Sequence, residues 1–476
     1  MDLNRNLKSG GYHNSMILNY IDCYKIDHRR QYPIGTSLVF SNWTPRKALF
    51  KDTDKVCFIG LQYFIKKYLV EEFNKFFKSN IDVICAEYEQ KVCRVLGIKS
   101  FNTQHIRDLH SLQYVPIAIR AIPEGTNGRV GVPSLVMWNT HKDFYWLVNY
   151  LETLMSSVLW MPSTSATTAR KYKEVFDRYQ KQTNDHTWLV PLQGHDFSFR
   201  GHSSPESACT SGIGHLVFFE GTDTYPAMDL IESYYNGRVG CSVPATEHSV
   251  MCAHGDVNEI NTFKYLLNLY PTGIVSVVSD TWDLWRVLDE FLPILKEDIL
   301  LREGKLVIRP DSGDPVDISL KAIEKLWNVF GGLVNNKGFK ELDPHVGLIY
   351  GDSITLERQR AILEGLKEKG FASSNIVLGI GSFTYQYSTR DVYGHAMKAT
   401  YCEINGESRS LFKDPITDNG TKKSAKGLLA IYNGGLLQEC NWDQVESDKN
   451  EMIEVFRDSK IVKQYTWEEV RNNAKS

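Results

Sequence analysis

No apolar run in the sequence is long enough to span a bilayer, so no transmembrane helix is expected. The opening residues, MDLNRNLKSGGYHN, are polar and lack the apolar core of a secretion signal. Cysteine is sparse and unpatterned: Cys23, Cys57, Cys85, Cys93, Cys209, Cys241, Cys252, Cys402 and Cys440 are odd in number and include no C-x-x-C pair. That excludes a readable disulfide framework or zinc spacing and fits free thiols in a reducing compartment. A large charge of one sign is missing as well. Lys and Arg total 54 against 57 Asp and Glu, a net charge of −3, so neither nucleic acid nor an anionic membrane is expected as the main partner. Low-complexity tracts are absent too. These absences leave a cytoplasmic globular protein as the expectation.

What is present is a chain of 476 residues, too long for one simple core, so two domains or one elaborated barrel is expected. Leu61 to Ser79 places Leu61, Phe64, Ile65, Tyr68, Leu69 and Phe73 on one helical face, an aromatic stripe that reads as core. Tyr114 to Ile122 alternates Val115, Ile117 and Ile119, which predicts a half-buried strand. Phe144 to Leu159 is apolar nearly all round and predicts one buried helix.

From about residue 185 a rhythm sets in. Short apolar runs end in polar or glycine tips: IVSVVSD at Asp280, KLVIRPDSG at Gly313, GLIYGDS at Ser353 and IVLGIGS at Ser382. Helical patterning follows over Trp282–Lys296, Pro315–Phe330 and Thr355–Lys369. Strand, tip and helix in repetition indicate a parallel sheet whose C-terminal ends gather at one face. The expected fold is therefore α/β: an irregular parallel α/β barrel over residues 185–385, plus a second α+β domain. That second domain is built from residues 1–184 and the polar, glycine-rich 386–476, which includes TKKSAKG at Thr421–Gly427.

The converging tips share a chemistry. GDS (Gly351–Ser353) and GIGS (Gly379–Ser382) offer small residues before helix starts, where backbone N–H groups cradle phosphate. In RPDSG, Arg309 and Asp311 project to the same side of an extended tip. Asp311 then suits sugar hydroxyls or a water-held magnesium ion, or the pair simply caps a turn. HDFSFRG sets the Phe197 ring, able to stack on a heteroaromatic base, near Arg200, able to clamp phosphate. GTDT and SVPATEHS add Asp223 and His248. There is no nucleophile elbow, no Walker A lysine and no Rossmann fingerprint. The residues by themselves indicate a phosphosugar-binding α/β enzyme.

These segments, with DCYKIDHRRQYP, FIGLQYF, SVVSD, TRD and FKDP, closely resemble the nicotinamide phosphoribosyltransferases in order and spacing from about Asp22 to near the C-terminus. The resemblance implies a type II phosphoribosyltransferase fold and a homodimer with active sites shared across the interface. It implies nicotinamide held between Phe197 and Tyr24 of the other subunit, its amide facing Asp223. It places Asp311 at the ribose hydroxyls with Arg309 beside it, and the 5′-phosphate on Gly351, Asp352, Gly381 and Ser382. It assigns pyrophosphate to Arg200 and Lys413, with Arg46, Arg390 and Lys398 from across the dimer. Asp280 and Asp311 fall in the Mg²⁺ shell, and His248 matches the histidine phosphorylated by ATP. Glu247, the residue before it, either orients the ring or points away. Two departures stand out: Ser353 and Ser382 replace glycines, and their Cβ atoms narrow the approach to phosphate. Alternatives remain open in nicotinate phosphoribosyltransferase, which GTDT disfavours, and in a catalytically silent dimeric binding protein of the same fold. A phosphosugar isomerase or aldolase barrel lacks a positioned Schiff-base lysine.

Overall fold

The computed structural model describes residues 16–49, 52–413 and 424–475, so Thr421 to Lys423 of the basic stretch, and Asp414 and Pro415 of FKDP, lie outside the described residues. The chain forms two compact units. One comprises residues 1–163, 234–236 and 390–476; the other comprises 164–233 and 237–389. The first division falls inside the 32-residue helix Glu152–Thr183, earlier than the 184/185 boundary read from the sequence. A helix patterned continuously for that length gives no sequence signal of where its packing partners change.

The first unit is organised on a seven-stranded sheet. Its order is Glu407–Ser410, His395–Ile404, Thr36–Pro45, Leu135–Asn139, Ile117–Ala121, Ile453–Arg457 and Lys460–Ile461, all antiparallel. Three N-terminal strands thus form the centre of one sheet, with two C-terminal strands on each flank. Ile117–Ala121 lies between two others and is buried along its whole length, not half-buried as its alternation suggested. The polar residue in it, Arg120, is also buried and donates to the carbonyls of Met452 (2.8 Å), Glu446 (3.3 Å) and Ser447 (3.2 Å). A buried cation that finds carbonyl acceptors looks, in sequence, like a solvent-facing one.

The aromatic stripe forms one continuous helical rod from Leu61 to Lys78, with a π-helical stretch at Ile65–Glu72, and every residue assigned to its core face is buried. Phe144–Leu159 divides into a short helix, Tyr145–Tyr150, and the start of the long helix after Leu151. Residues 234–236 join this unit through Tyr235, which is fully buried and donates to Glu124 at 2.9 Å. Glu124 also accepts from the Gly60 amide at 3.1 Å and from the Gln62 amide, so its buried carboxylate is well supplied with donors.

The second unit carries the parallel sheet. Its six strands run in the order Gly221–Thr222, Gly194–Asp196, Ile376–Ile380, Val346–Tyr350, Glu303–Arg309 and Thr272–Val278. The segment 241–245 makes parallel bridges to both outer strands, Cys241 to Gly221 and Ala245 to Ser276, and so curls the sheet into an irregular barrel. Helix Pro315–Phe330 has the predicted bounds: Asp314 caps it by accepting from the Val316 and Asp317 amides, and proline opens it. Leu356–Glu368 is capped by Thr355. The helix expected over Trp282–Lys296 runs from Leu284 to Ile294 with a π-helical middle, and Pro293 in its last turn marks its end. No helix among the described residues is long and apolar enough to cross a membrane.

Candidate active site

The tips of the parallel strands build the site. The Phe197 amide donates to Ile380 O at 3.0 Å, fixing the chain as it leaves strand Gly194–Asp196 beside the next strand's end. The Phe197 ring then lies over glycine. A Cβ at Gly379 would stand 2.6 Å from Phe197 Cδ2 and 2.7 Å from Gly351 O, and one at Gly351 would stand 2.9 Å from Asp311 Oδ1. Both positions are kept clear by closeness of approach, not by backbone conformation.

Asp223 follows the short strand Gly221–Thr222, and its amide donates to Asp196 O at 2.9 Å. Its Oδ1 accepts from His195 Nε2 at 3.0 Å and from Ser242 Oγ at 2.5 Å. Partial burial pushes its pKa up, but the His195 and Ser242 donors and the nearby Arg309 charge outweigh this and hold it below the ordinary carboxylate value. The side chain keeps 43% exposure, so an incoming group can reach it. Arg309 ends strand Glu303–Arg309 and donates through Nη2 to Thr246 O, while its Nε is buried without a partner.

Across the rim, Asp280 Oδ2 accepts from the Asp311 amide at 2.8 Å and from Ser312 Oγ at 2.5 Å. Asp280 Oδ1 is buried without a hydrogen bond. His248 Nε2 lies 3.9 Å from this oxygen and 3.9 Å from Asp311 Oδ2, so one imidazole and two carboxylates frame a single opening. Thr281 Oγ1, 3.1 Å from His248 Nδ1, holds the ring. Glu247, the sequence candidate for that role, instead accepts from Ser249. The Tyr350 hydroxyl reports how acidic this rim is: burial, then the charges of Asp352, Asp280, Asp311 and Asp314, push its pKa up to about 12. No group of three or more His, Cys, Asp and Glu among the described residues is arranged as a metal cage. A pair of carboxylates, one with a buried oxygen in need of a partner, does suit a hard cation that keeps most of its ligands as water and substrate oxygens.

Of the two glycine tips, Gly381 leads directly into the helical turn Ser382–Tyr385, whose Thr384 and Tyr385 amides point back to its carbonyl. Gly351–Ser353 does not meet a helix start directly: helix Leu356–Glu368 begins later, behind its own Thr355 cap. Ser353 adopts φ +50°, the left-handed conformation that glycine would accept more easily, and its carbonyl takes a 2.6 Å bond from Arg358. Asp352 and Arg200 are both exposed.

The remaining predicted residues lie in the first unit. Tyr24 and Lys398 line a cavity of about 450 Å³ with Lys25, His28 and Glu152. Lys25 is 4% exposed and pairs with Glu152 at 2.7 Å. Burial lowers the Lys398 pKa; Glu152 opposes this, and the charges of Arg46, Lys413 and Lys25 lower it further. Lys25, Arg46, Lys398 and Lys413 therefore form one basic neighbourhood, beside the cavity that Tyr24 lines. Arg390 is exposed and lies 3.5 Å from Asp391.

Three residues with evident structural roles at the rim were not picked out in the sequence: His195, Ser242 and Gly379. For His195 the signal was present, since residues two apart on a strand share a side, and His195 therefore accompanies Phe197.

Similarity to known proteins follows this geometry. Residues 192–465 match the nicotinate phosphoribosyltransferase (NAPRTase) family, and residues 16–92 match the nicotinamide phosphoribosyltransferase N-terminal domain. The chain is 47% identical to the nicotinamide phosphoribosyltransferase of Acinetobacter baylyi, with 95% of this chain and 96% of that one covered. It is 36% identical to the nicotinamide phosphoribosyltransferase of Mycoplasma pneumoniae over 86% of this chain and 96% of that one. Among solved structures, human nicotinic acid phosphoribosyltransferase shares the fold at TM-score 0.59 and 15% identity, covering 95% of this chain and 92% of that one. Nicotinate-nucleotide pyrophosphorylase from Pyrococcus furiosus does so at 0.60 and 14%, covering 96% and 95%.

The packing of Phe197 against the glycine tips sets an expectation for Gly379→Ala. The added methyl should cost about 1–3 kcal/mol in urea unfolding and displace the ring in a crystal structure. An unchanged midpoint with the ring in place would show that the tips have slack.

Proposed function

The chain belongs to the nicotinate phosphoribosyltransferase family, and from that premise we propose that it joins nicotinamide to phosphoribosyl pyrophosphate, giving nicotinamide mononucleotide and pyrophosphate in NAD salvage. One observation carries the choice of base: the ionised carboxylate of Asp223 in the rim beside Phe197. Such a group accepts a hydrogen bond from a carboxamide NH₂. A nicotinate carboxylate offers no donor and is repelled, a penalty of several kcal/mol at a dry site. The sister activity on nicotinate is disfavoured on the same ground.

In this reading the pyridine ring stacks on Phe197, with Arg309 beside it. Asp311 accepts from the ribose hydroxyls, and Gly351, Asp352, Gly381 and Ser382 receive the 5′-phosphate. Asp280 and Asp311 would hold Mg²⁺, which would supply charge neutralisation for the leaving pyrophosphate. The ring nitrogen of nicotinamide attacks C1 as the C1–O bond breaks, and since that nitrogen carries no proton, positioning and electrostatics carry the catalysis. Arg200 and Lys413 receive the pyrophosphate. The chain works as a homodimer in which Tyr24, Arg46, Arg390 and Lys398 of a second copy complete the site. His248 takes a phosphoryl group from ATP, releasing ADP, and the phosphohistidine then organises the pyrophosphate site. A cytoplasmic setting agrees with the free thiols.

Product formation from purified protein, with phosphoribosyl pyrophosphate, Mg²⁺ and the two bases offered in parallel, tests the central reading. Mononucleotide from nicotinamide alone is expected, and Asp223→Asn should narrow the preference by roughly 10-fold or more; equal use of both bases by the native protein would sink the assignment. His248→Ala should retain basal transfer and lose stimulation by ATP. Stimulation equal to that of the parent would remove His248 from that role. The shared site is checked by mixing two inactive proteins, Asp311→Ala and Lys398→Ala. Activity should return on subunit exchange, whereas a silent mixture would mean that each chain works alone.

A further inference from the structure

We propose that His195 and Ser242 act as positioning residues that clamp one oxygen of Asp223 and thereby present the other to the substrate amide, so that base selectivity is set by three residues and not by one. This rests on the reading of Asp223 as the amide acceptor and deepens it.

The geometry is specific. Both donors converge on Oδ1, His195 Nε2 at 3.0 Å and Ser242 Oγ at 2.5 Å, while Oδ2 has no hydrogen bond among the described residues. A carboxylate on a flexible Asp side chain can otherwise rotate and offer either oxygen. Two donors on one oxygen fix the rotation and leave a single free acceptor direction, as one amide N–H requires. The clamp also holds Asp223 ionised, and a protonated Asp223 would lose the ability to reject a carboxylate.

The surroundings are built to allow it. In the parallel register, His195 sits opposite Gly221, and its ring must cross that position to reach Asp223. A Cβ at Gly221 would lie 2.7 Å from His195 Nδ1, so only glycine leaves the ring its path. On its other side the imidazole packs against Phe197, with centroids 4.6 Å apart and planes inclined by 39°. One side chain therefore links the stacking platform and the amide acceptor. Ser242 arrives from elsewhere, in the segment 241–245 that bridges the two outer strands of the barrel. The acceptor is thus held from both neighbouring stretches of chain.

The test measures KM for nicotinamide, KM for phosphoribosyl pyrophosphate and the nicotinamide-to-nicotinate ratio of kcat/KM. His195→Ala and Ser242→Ala should each raise KM for nicotinamide by roughly 10-fold and narrow the ratio, with KM for phosphoribosyl pyrophosphate held within about twofold. His195→Gln, which can place an amide N–H near the same oxygen, should recover most of the loss. Gly221→Ala should reproduce the His195→Ala pattern without touching the donor itself. Ser242 is exposed, so its substitution reads out the clamp even if changes at His195 unfold the protein. An unchanged ratio in His195→Ala and Ser242→Ala, or a His195→Gln protein no better than His195→Ala, overturns the clamp. Asp223→Asn separates the two claims. If it too leaves the ratio unchanged, the amide-acceptor reading fails; if it abolishes selectivity while the clamp variants keep it, only the clamp fails.

Discussion

Because the six strands of the second unit run parallel, every loop leaving a strand's C-terminal end is delivered to one rim. Residues separated by long stretches of chain, Phe197, Asp223, Asp280, Asp311 and Gly351 among them, are neighbours for that reason alone. The register does more than gather them. It sets His195 against Gly221 and Gly379, so that the imidazole and the Phe197 ring cross strands that carry no side chain at the crossing points. Remove the parallel pairing and neither the aromatic platform nor the carboxylate clamp has a scaffold.

The rim is chemically one-sided. Asp280, Asp311, Asp352 and Asp314 together press on the Tyr350 hydroxyl, and one oxygen of Asp280 is left buried without a donor. The first unit has the opposite surplus: Lys25, Arg46, Lys398 and Lys413 gather with Glu152 opposing them, and burial, with those cations adding to it, lowers the pKa of Lys398. Carboxylates of this kind ask for cations, and ammonium groups of this kind ask for an anion.

Much of this was legible in the sequence, and for identifiable reasons. The βα rhythm could be read because each strand ended in a polar tip and each helix opened with a capping residue, as at Asp314 and Thr355. The aromatic stripe of Leu61 to Phe73 could be read because its spacing is helical through the π stretch as well. Burial of Ile117–Ala121 could not, since Arg120 satisfies its charge with carbonyls supplied by residues 446 to 452. The role of Gly379 was equally hidden, for a glycine that makes room for a ring distant in sequence leaves the same letter as one that makes a turn. Thr281 replaced Glu247 as the partner of His248 because a sequence neighbour need not point the same way as its neighbour.

The sheet of the first unit, with N-terminal strands at its centre and C-terminal strands on both flanks, bears on how the protein is made. Strand Thr36–Pro45 has His395–Ile404 on one flank, and Ile117–Ala121 has Ile453–Arg457 on one of its own. On the ribosome these early, apolar strands emerge long before the segments that cover their edges have been translated. The parallel barrel between them has all its strands within residues 194–380 and can close first. Nascent chains stalled before residue 395 would therefore carry a finished barrel and an exposed, unpaired sheet edge, the form of this protein most in need of a chaperone.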